Sequence, residues 1–401
     1  MRPIRQLTFW IVAACLSVLL LVLALYYNST EAQPASVVAV PPRPAAGRLV
    51  FQQQGCISCH GADASGTPKG PALRQRASLS SLAKLVAALW NHAPRMWAAM
   101  ERQGLNYPNL TYEQTSQLIS YLYLSGAADV NGDARRGAAL FLVRADCARC
   151  HGDDGRDPRL AATAAGGTAM DLTQALWNHA AFVQRPIGKP GLAWPHFGPN
   201  DVRDLLAYVR QQNASPSPTD TMAGADPDRG WLIFQEKGCI RCHSLSRDQG
   251  SAGPYLGQQR EFPPTFSEFG AALLNHVPQM ENAVGKQRLP WPVFGPNDVR
   301  DLTLFFYFLR YMEPTGSPQI GQSVFSWRGC ANCHGAEAEG GSAPRLRGRG
   351  TNFTAARLAT DLLRHGRSMY KQVERNGQQW PELQESDVGN LLAFLNSPSR
   401  K

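Results

Sequence analysis

The chain has 401 residues, 43% apolar and 18% charged, with a formal net charge of +9. Those proportions belong to ordinary globular protein, and the length allows two to four domains. Lys and Arg are scattered, with no basic helix and no basic-aromatic patch, so the positive balance does not mark a nucleic-acid binder.

In chain order, the first predicted element is Thr8–Tyr27, twenty residues without a charge behind Arg2 and Arg5. That run is long enough to span a bilayer, and its positive flank keeps the N-terminus cytoplasmic and sends the rest across. Residues 1–27 therefore read as a membrane anchor, with a cleaved signal peptide as the alternative. Cys15, in VAAC, is a small apolar residue of that anchor. Residues 28–46 are rich in Pro and Ala and form an extended tether. An exported chain meets no nucleic acid, and this agrees with the charge pattern.

The remainder is one unit repeated four times. CISCH, CARCH, CIRCH and CANCH have their first cysteines at 56, 147, 239 and 330, which are 91 or 92 residues apart. Each unit opens with a Gly and an aromatic four residues on: Gly47/Phe51, Gly137/Phe141, Gly230/Phe234 and Gly321/Phe325. In the second unit the Cys follows that Phe by six residues instead of five. A middle segment, clearest in SLSSLAKLVAALWNHAPRMWAAM, repeats apolar residues at three and four, as a helix packed on one face requires. Each unit closes with another helical run, capped by Thr111 with Gln114, Asn200, Asn297 or Ser386. GPNDVRDL occurs unchanged at 198–205 and 295–302, so the units arose by duplication. Linkers rich in Gly, Pro and Ser separate four domains at 47–126, 134–213, 229–313 and 320–398.

Cys-x-x-Cys-His is the attachment motif of haem c. Its two thiols bond the porphyrin and the adjacent His becomes the proximal iron ligand. Here those residues are Cys56, Cys59 and His60; Cys147, Cys150 and His151; Cys239, Cys242 and His243; and Cys330, Cys333 and His334. A zinc site needs a second ligand pair, which no unit contains. A thioredoxin-like motif needs no following His and expects a β-α-β setting. Four covalently bound haem c groups are expected.

On these motifs each unit resembles a class I, mitochondrial-type cytochrome c domain. The resemblance implies an all-α fold, with four tandem domains after one N-terminal transmembrane helix. In that family the opening and closing helices cross where a Gly and an aromatic meet an aromatic. The implied partners are Gly47/Phe51 with Tyr121, Gly137/Phe141 with Tyr208, Gly230/Phe234 with Phe305, and Gly321/Phe325 with Phe394.

The chain departs from the family at the distal ligand, commonly Met or His. Where many such domains carry Met before a Pro, these units have YPNL, WPHF, WPVF and WPEL, with Tyr107, Trp194, Trp291 and Trp380 in the Met position. Candidates move to the middle helix, where His92/Met96, His276/Met280 and His365/Met369 stand four apart on one face. Met96, Met280 and Met369 lie 39–41 residues after their unit's first Cys, and are the expected ligands. The opposite reading gives the role to His92, His179, His276 and His365. In the second unit Val183 replaces the Met, and two His remain: His179 in the helix and His196 in WPHF. His196 shares a face with Trp194 in an extended segment, so it reaches the haem if Trp194 does. His196 is preferred, with His179 close behind. A His/His haem in this unit would have the lowest potential of the four, and a five-coordinate open haem is the remaining reading.

The expected function is a membrane-anchored periplasmic tetrahaem cytochrome, at the bacterial cytoplasmic membrane, relaying single electrons between redox proteins. It reads as an electron carrier rather than a catalyst. About eight haem propionates offset most of the +9, and the remaining Lys and Arg guide an acidic partner. The alternatives are a haem enzyme acting on a small molecule at an open second haem, and a cytochrome subunit of a respiratory or quinol-oxidising complex.

Overall fold

The computed structural model describes residues 44–74, 79–129, 131–164, 167–187, 194–215, 225–245, 252–257, 262–309, 311, 314–348, 350 and 352–398. The expected membrane helix, Cys15 and most of the tether lie outside them. No helix among the described residues is long and apolar enough to cross a membrane. The described elements are helices, and one isolated bridge pairs Thr67 with Gly70.

Each repeat has an opening, a middle and a closing helix. The opening helices are Pro44–Gln53, Ala134–Ala139 continued by Leu140–Arg144, Pro227–Glu236 and Pro318–Trp327. The middle helices are Leu82–Arg102, Ala169–Ile187, Phe266–Asn275 continued by Val277–Lys286, and Ala355–Arg375. The closing helices are Tyr112–Ala127, Asp201–Gln212, Asp298–Phe308 and Glu385–Asn396.

Opening and closing helices cross at the expected glycines. A Cβ on Gly47 would lie 1.9 Å from the Gln117 carbonyl oxygen, and one on Gly321 would lie 1.9 Å from that of Asn390. Only hydrogen fits there, which is why the backbones approach so closely. One turn on, Phe51 meets Tyr121 at 5.4 Å and Phe141 meets Tyr208 at 5.3 Å. Phe234 meets Phe305 at 5.9 Å and Phe325 meets Phe394 at 5.3 Å. All four opening-helix Phe are buried, each stabilising its repeat by roughly 1.5–3 kcal/mol.

The closing helices start differently from expectation in three repeats. Thr111 and Gln114 do form the capping box, at 3.1 and 2.9 Å. The Asn200 and Asn297 side chains make no cap bond. Asp201 and Asp298 close those turns instead, accepting from Gly198 N at 2.7 Å and Gly295 N at 2.8 Å. Ser386 lies inside its helix, and Gln384 with Asp387 forms the box there. A carboxylate in the first turn suits the positive end of a helix, and it also holds a cation from the opening segment. These pairs are Arg144–Asp201, Arg229–Asp298 at 2.8 Å and Arg328–Asp387 at 2.7 Å. Asp displaces the expected hydroxyl and amide caps because it answers a backbone N–H and an Arg together.

Residues 38–401 form one compact unit. Within it the middle helices pack in pairs, repeat 1 with repeat 4 and repeat 2 with repeat 3. At the first crossing Gly366 lies against Trp97, and at the second Gly270 lies against Thr173. The pairs join through repeats 1 and 3: the Tyr123 hydroxyl donates to the Tyr307 carbonyl at 2.9 Å, and its ring meets Tyr311 at 4.4 Å. Repeats 1 and 2 also face each other across a cavity lined by Arg48, Tyr121, Arg203 and Arg210.

Candidate haem attachment sites

A left-handed residue precedes the first Cys of every motif and turns the opening helix into it. Gly55, Gly238 and Gly329 hold φ of 75°, 76° and 79°. In repeat 2 Asp146 does this at φ 50°, and a π turn over Leu140–Arg144 absorbs the extra residue. Asp tolerates this region better than most side chains. After the motif, Gly61, Gly152 and Gly335 take φ of 75–81° and end a short α turn. Ser244 stands there in repeat 3, where the turn is 3-10 over Cys239–Arg241.

All eight motif cysteines are free thiols: no disulfide joins Cys56 to Cys59, Cys147 to Cys150, Cys239 to Cys242 or Cys330 to Cys333. Burial pushes the thiols of Cys56, Cys147, Cys239 and Cys330 up to about 11, and each packs against the hydrophobic core. By exposure the two cysteines of a motif are alike, all half-buried except Cys150, which is exposed. What fixes the second Cys is its backbone. The Cys59 carbonyl accepts from Thr67 Oγ1 at 2.6 Å, that of Cys242 from Gly253 N at 2.7 Å and that of Cys333 from Ala343 N at 2.9 Å. Each motif thus offers one thiol packed on the core and a second three residues on.

Among the described residues no three or more His, Cys, Asp or Glu converge as an ion cage. This donor set fits a porphyrin held by thioethers and one axial imidazole better than it fits a zinc site.

The proximal imidazoles are oriented from behind. His60 Nδ1 donates to the Pro71 carbonyl at 2.9 Å, His243 to Pro254 at 3.0 Å and His334 to Pro344 at 2.8 Å. A carbonyl can only accept, so Nδ1 carries the proton and Nε2 keeps the lone pair a metal needs. Repeat 2 differs. His151 Nδ1 faces the Asp157 carboxylate at 3.0 Å. The cause lies in loop length. The Pro of a P-x-L sequence follows the motif His by ten or eleven residues in the other repeats, whereas Pro158 follows His151 by seven. The shortened loop brings the preceding residue, Asp157, to the imidazole. Sequence reasoning missed Asp157, although that spacing was its visible signal.

On the distal side, burial and then the charges of His60 and Arg95 hold the His92 imidazole below its ordinary pKa. Met96 is half-buried and packs on Val50, Phe51, Leu110 and Leu118, a cluster that Cys56 and Ile57 also join. Met280 and Met369 are likewise half-buried against the core. His276 is exposed and turns Nδ1 onto the Ala272 carbonyl at 2.8 Å; His365 is also exposed. In repeat 2 the His151 and His179 rings stand 5.9 Å apart, centroid to centroid. Two imidazoles on one metal ion, each about 2 Å from it, need centroids on the order of 6 Å apart. The Val183 side chain lies outside the described residues. His196 is exposed.

The aromatics in the family's Met position serve another purpose. Trp194 Nε1 donates to the Leu274 carbonyl at 2.9 Å, Trp291 to Trp177 at 3.3 Å and Trp380 to Trp90 at 3.1 Å. Each acceptor stands just before the Asn of the partner repeat's middle helix. That Asn then clamps the loop: Asn178 bonds both N and O of Phe294, each at 2.8 Å, and Asn275 does the same to Phe197. Asn91 holds Leu383 at 2.8 and 2.9 Å. Repeat 4 has Arg364 in that place, and there Arg367 stacks over Tyr107 at 4.3 Å. The loop that brings Met to iron elsewhere is here tied to a neighbouring repeat.

Residues 44–123, 134–213 and 318–399, repeats 1, 2 and 4, match the family described as Cytochrome c. The cbb3-type cytochrome c oxidase subunit CcoP of Rubrivivax gelatinosus is 30% identical over 161 residues, which cover 38% of this chain and 47% of that protein. The match thus spans about half the length of that relative. No solved structure matches the chain. Repeat 3 carries the same helix crossing, motif and proximal imidazole as the matched repeats. With more than half of its length matched and its Cys-x-x-Cys-His turns set under oriented imidazoles, the chain belongs to the cytochrome c family and is a haem-based electron-transfer cytochrome.

Proposed function

We propose that this chain is a tetrahaem relay, tethered to the outer face of the bacterial cytoplasmic membrane by Thr8–Tyr27, that passes single electrons to or within a respiratory complex. The observation that carries the count is the fourfold recurrence of one site: a first Cys packed against the core, a second Cys three residues on, and a proximal His whose Nδ1 is bonded from behind. The likeness to a subunit of a terminal oxidase supports the respiratory setting. Haem supplies the one-electron chemistry when bound. The residues do the rest. Cys56 with Cys59, Cys147 with Cys150, Cys239 with Cys242 and Cys330 with Cys333 fix the porphyrins, and His60, His151, His243 and His334 ligate from the proximal side. The packing of the four repeats into one compact unit supports a continuous path between donor and acceptor proteins.

For the distal side we assign Met96, Met280 and Met369 in repeats 1, 3 and 4, where they are half-buried, and His179 in repeat 2. His179 replaces His196 as the preferred ligand because Trp194, whose face His196 shares, is directed to repeat 3, whereas the His179 ring lies opposite His151. The presence of a middle-helix His in every repeat favours a second reading, in which the helix His ligates throughout. An enzyme acting at an open second haem fits less well, since His179 covers that face.

Carbon monoxide added to the reduced protein tests the relay. Four closed haems predict an almost unchanged spectrum, and a large response from one haem would favour the enzyme. Fractionation of cells with and without residues 1–27 tests the tether, which predicts release from the membrane on deletion.

A further inference from the structure

We propose that Asp157 makes the haem of repeat 2 the hardest of the four to reduce, by accepting the Nδ1–H of its proximal ligand His151. The inference rests on repeat 2 carrying haem c beneath His151, and it adds a cause of low potential independent of the distal ligand.

Three repeats give the proximal imidazole a neutral acceptor, the carbonyl of Pro71, Pro254 or Pro344. Repeat 2 alone gives it a carboxylate, at 3.0 Å, with the His151 and Asp157 side chains only 15% and 9% exposed. Little solvent is available to screen that pair, so the difference between carbonyl and carboxylate is felt at the ring. A hydrogen bond to an ionised acceptor is roughly twice as strong as a neutral one. It draws the proton away from Nδ1, enriches the imidazole in electrons and makes Nε2 a better donor to the oxidised iron. The carboxylate's negative charge favours the more positive oxidation state as well. Reduction adds one electron, supplied by the donor protein, and breaks no bond.

Asp157 is well placed for this role because its backbone is fixed. Its carbonyl accepts from Leu160 N and Ala161 N, both at 2.9 Å, starting the helix Pro158–Ala164. The carboxylate therefore stays at the imidazole instead of swinging to solvent.

Spectroelectrochemical titration of the full-length, haem-loaded protein reads the effect. Asp157→Asn keeps a residue able to begin a helix but removes the charge. It should raise the lowest reduction step at least tenfold in equilibrium constant, 59 mV for one electron, and leave the other three in place. Asp157→Glu keeps a carboxylate and should titrate close to the unmutated protein. The proposal is overturned if the Asn variant leaves the lowest step unmoved, or if Glu shifts it as far as Asn does. Haem content separates this from a wrong assignment of the site. Three haems on the unmutated chain, with none on Cys147 and Cys150, would remove the reading of repeat 2 itself. Four haems with an unmoved lowest step would remove only the role of Asp157.

Discussion

The Trp90 indole donates Nε1 to the Pro381 carbonyl at 2.7 Å, linking residues 291 positions apart, and Trp177 makes the same bond to Pro292 at 2.8 Å. The returning bonds from Trp380 and Trp291 stack the indoles in pairs, with centroids 4.9 and 4.6 Å apart. Duplication thus produced two matched partnerships, 1 with 4 and 2 with 3. Each uses the residue type that displaced the family's Met.

The Asn clamp predicts a measurable stability loss. Asn178→Ala leaves the Phe294 N–H and C=O without their partners at a part-buried site, costing about 1–3 kcal/mol. Denaturant unfolding of the loaded protein should show a lower midpoint, with haem content unchanged. Loss of haem from repeat 2 or 3 without a stability change would argue that Asn178 serves the haem and not the pairing.

His179 and His196 make opposite predictions in low-temperature EPR of the oxidised protein. His179→Ala should remove one low-spin signal and create a high-spin haem that binds carbon monoxide when reduced. His196→Ala should leave every haem signal in place. Silence from His179→Ala together with a lost signal from His196→Ala would reverse the assignment.

The fold was legible because it depends on local, repeated features. Gly47 and Phe51 announce the crossing with Tyr121 by size alone, and the thiol–imidazole spacing announces the site. What stayed hidden depends on contacts far apart in sequence. Nothing near Trp194 says that its indole meets the carbonyl of Leu274, 80 residues away. Asp201 and Asp298 displaced the expected Asn caps for a similar reason, since their Arg partners lie 57 to 69 residues upstream. Asp157 was local and still missed, because only comparison of loop lengths between repeats reveals it.

In repeat 1, Met96→Ala and His92→Ala separate the two distal readings. Met ligation predicts that Met96→Ala lowers that haem's potential or opens it to carbon monoxide, since a thioether raises potential. His92→Ala should then perturb it mildly. The reverse pattern would give the role to His92, and by extension to His276 and His365.

Asp129 links stability to pH. Burial raises its carboxyl from 3.8 to about 6, although Ser267 N donates to it at 3.0 Å. Between those values the folded chain holds a proton that the unfolded chain has lost. Stability from this group is therefore full below about pH 4 and lost as pH rises towards 6, on the order of 3 kcal/mol in all. Asp129→Asn should abolish that decline and gain stability at pH 7 relative to pH 4.5. A variant less stable than the unmutated protein at pH 7 would show that the charged form is favoured in the fold.

The haem-to-protein ratio, read from intact mass and pyridine haemochromogen on the full-length chain matured in a host able to attach haem c, tests the tetrahaem relay most directly. Four haems per chain are predicted, falling to three when Cys239 and Cys242 are both replaced by Ser. Three haems on the unmutated chain, unaffected by that replacement, would contradict it and leave repeat 3 as a domain of cytochrome shape that carries none.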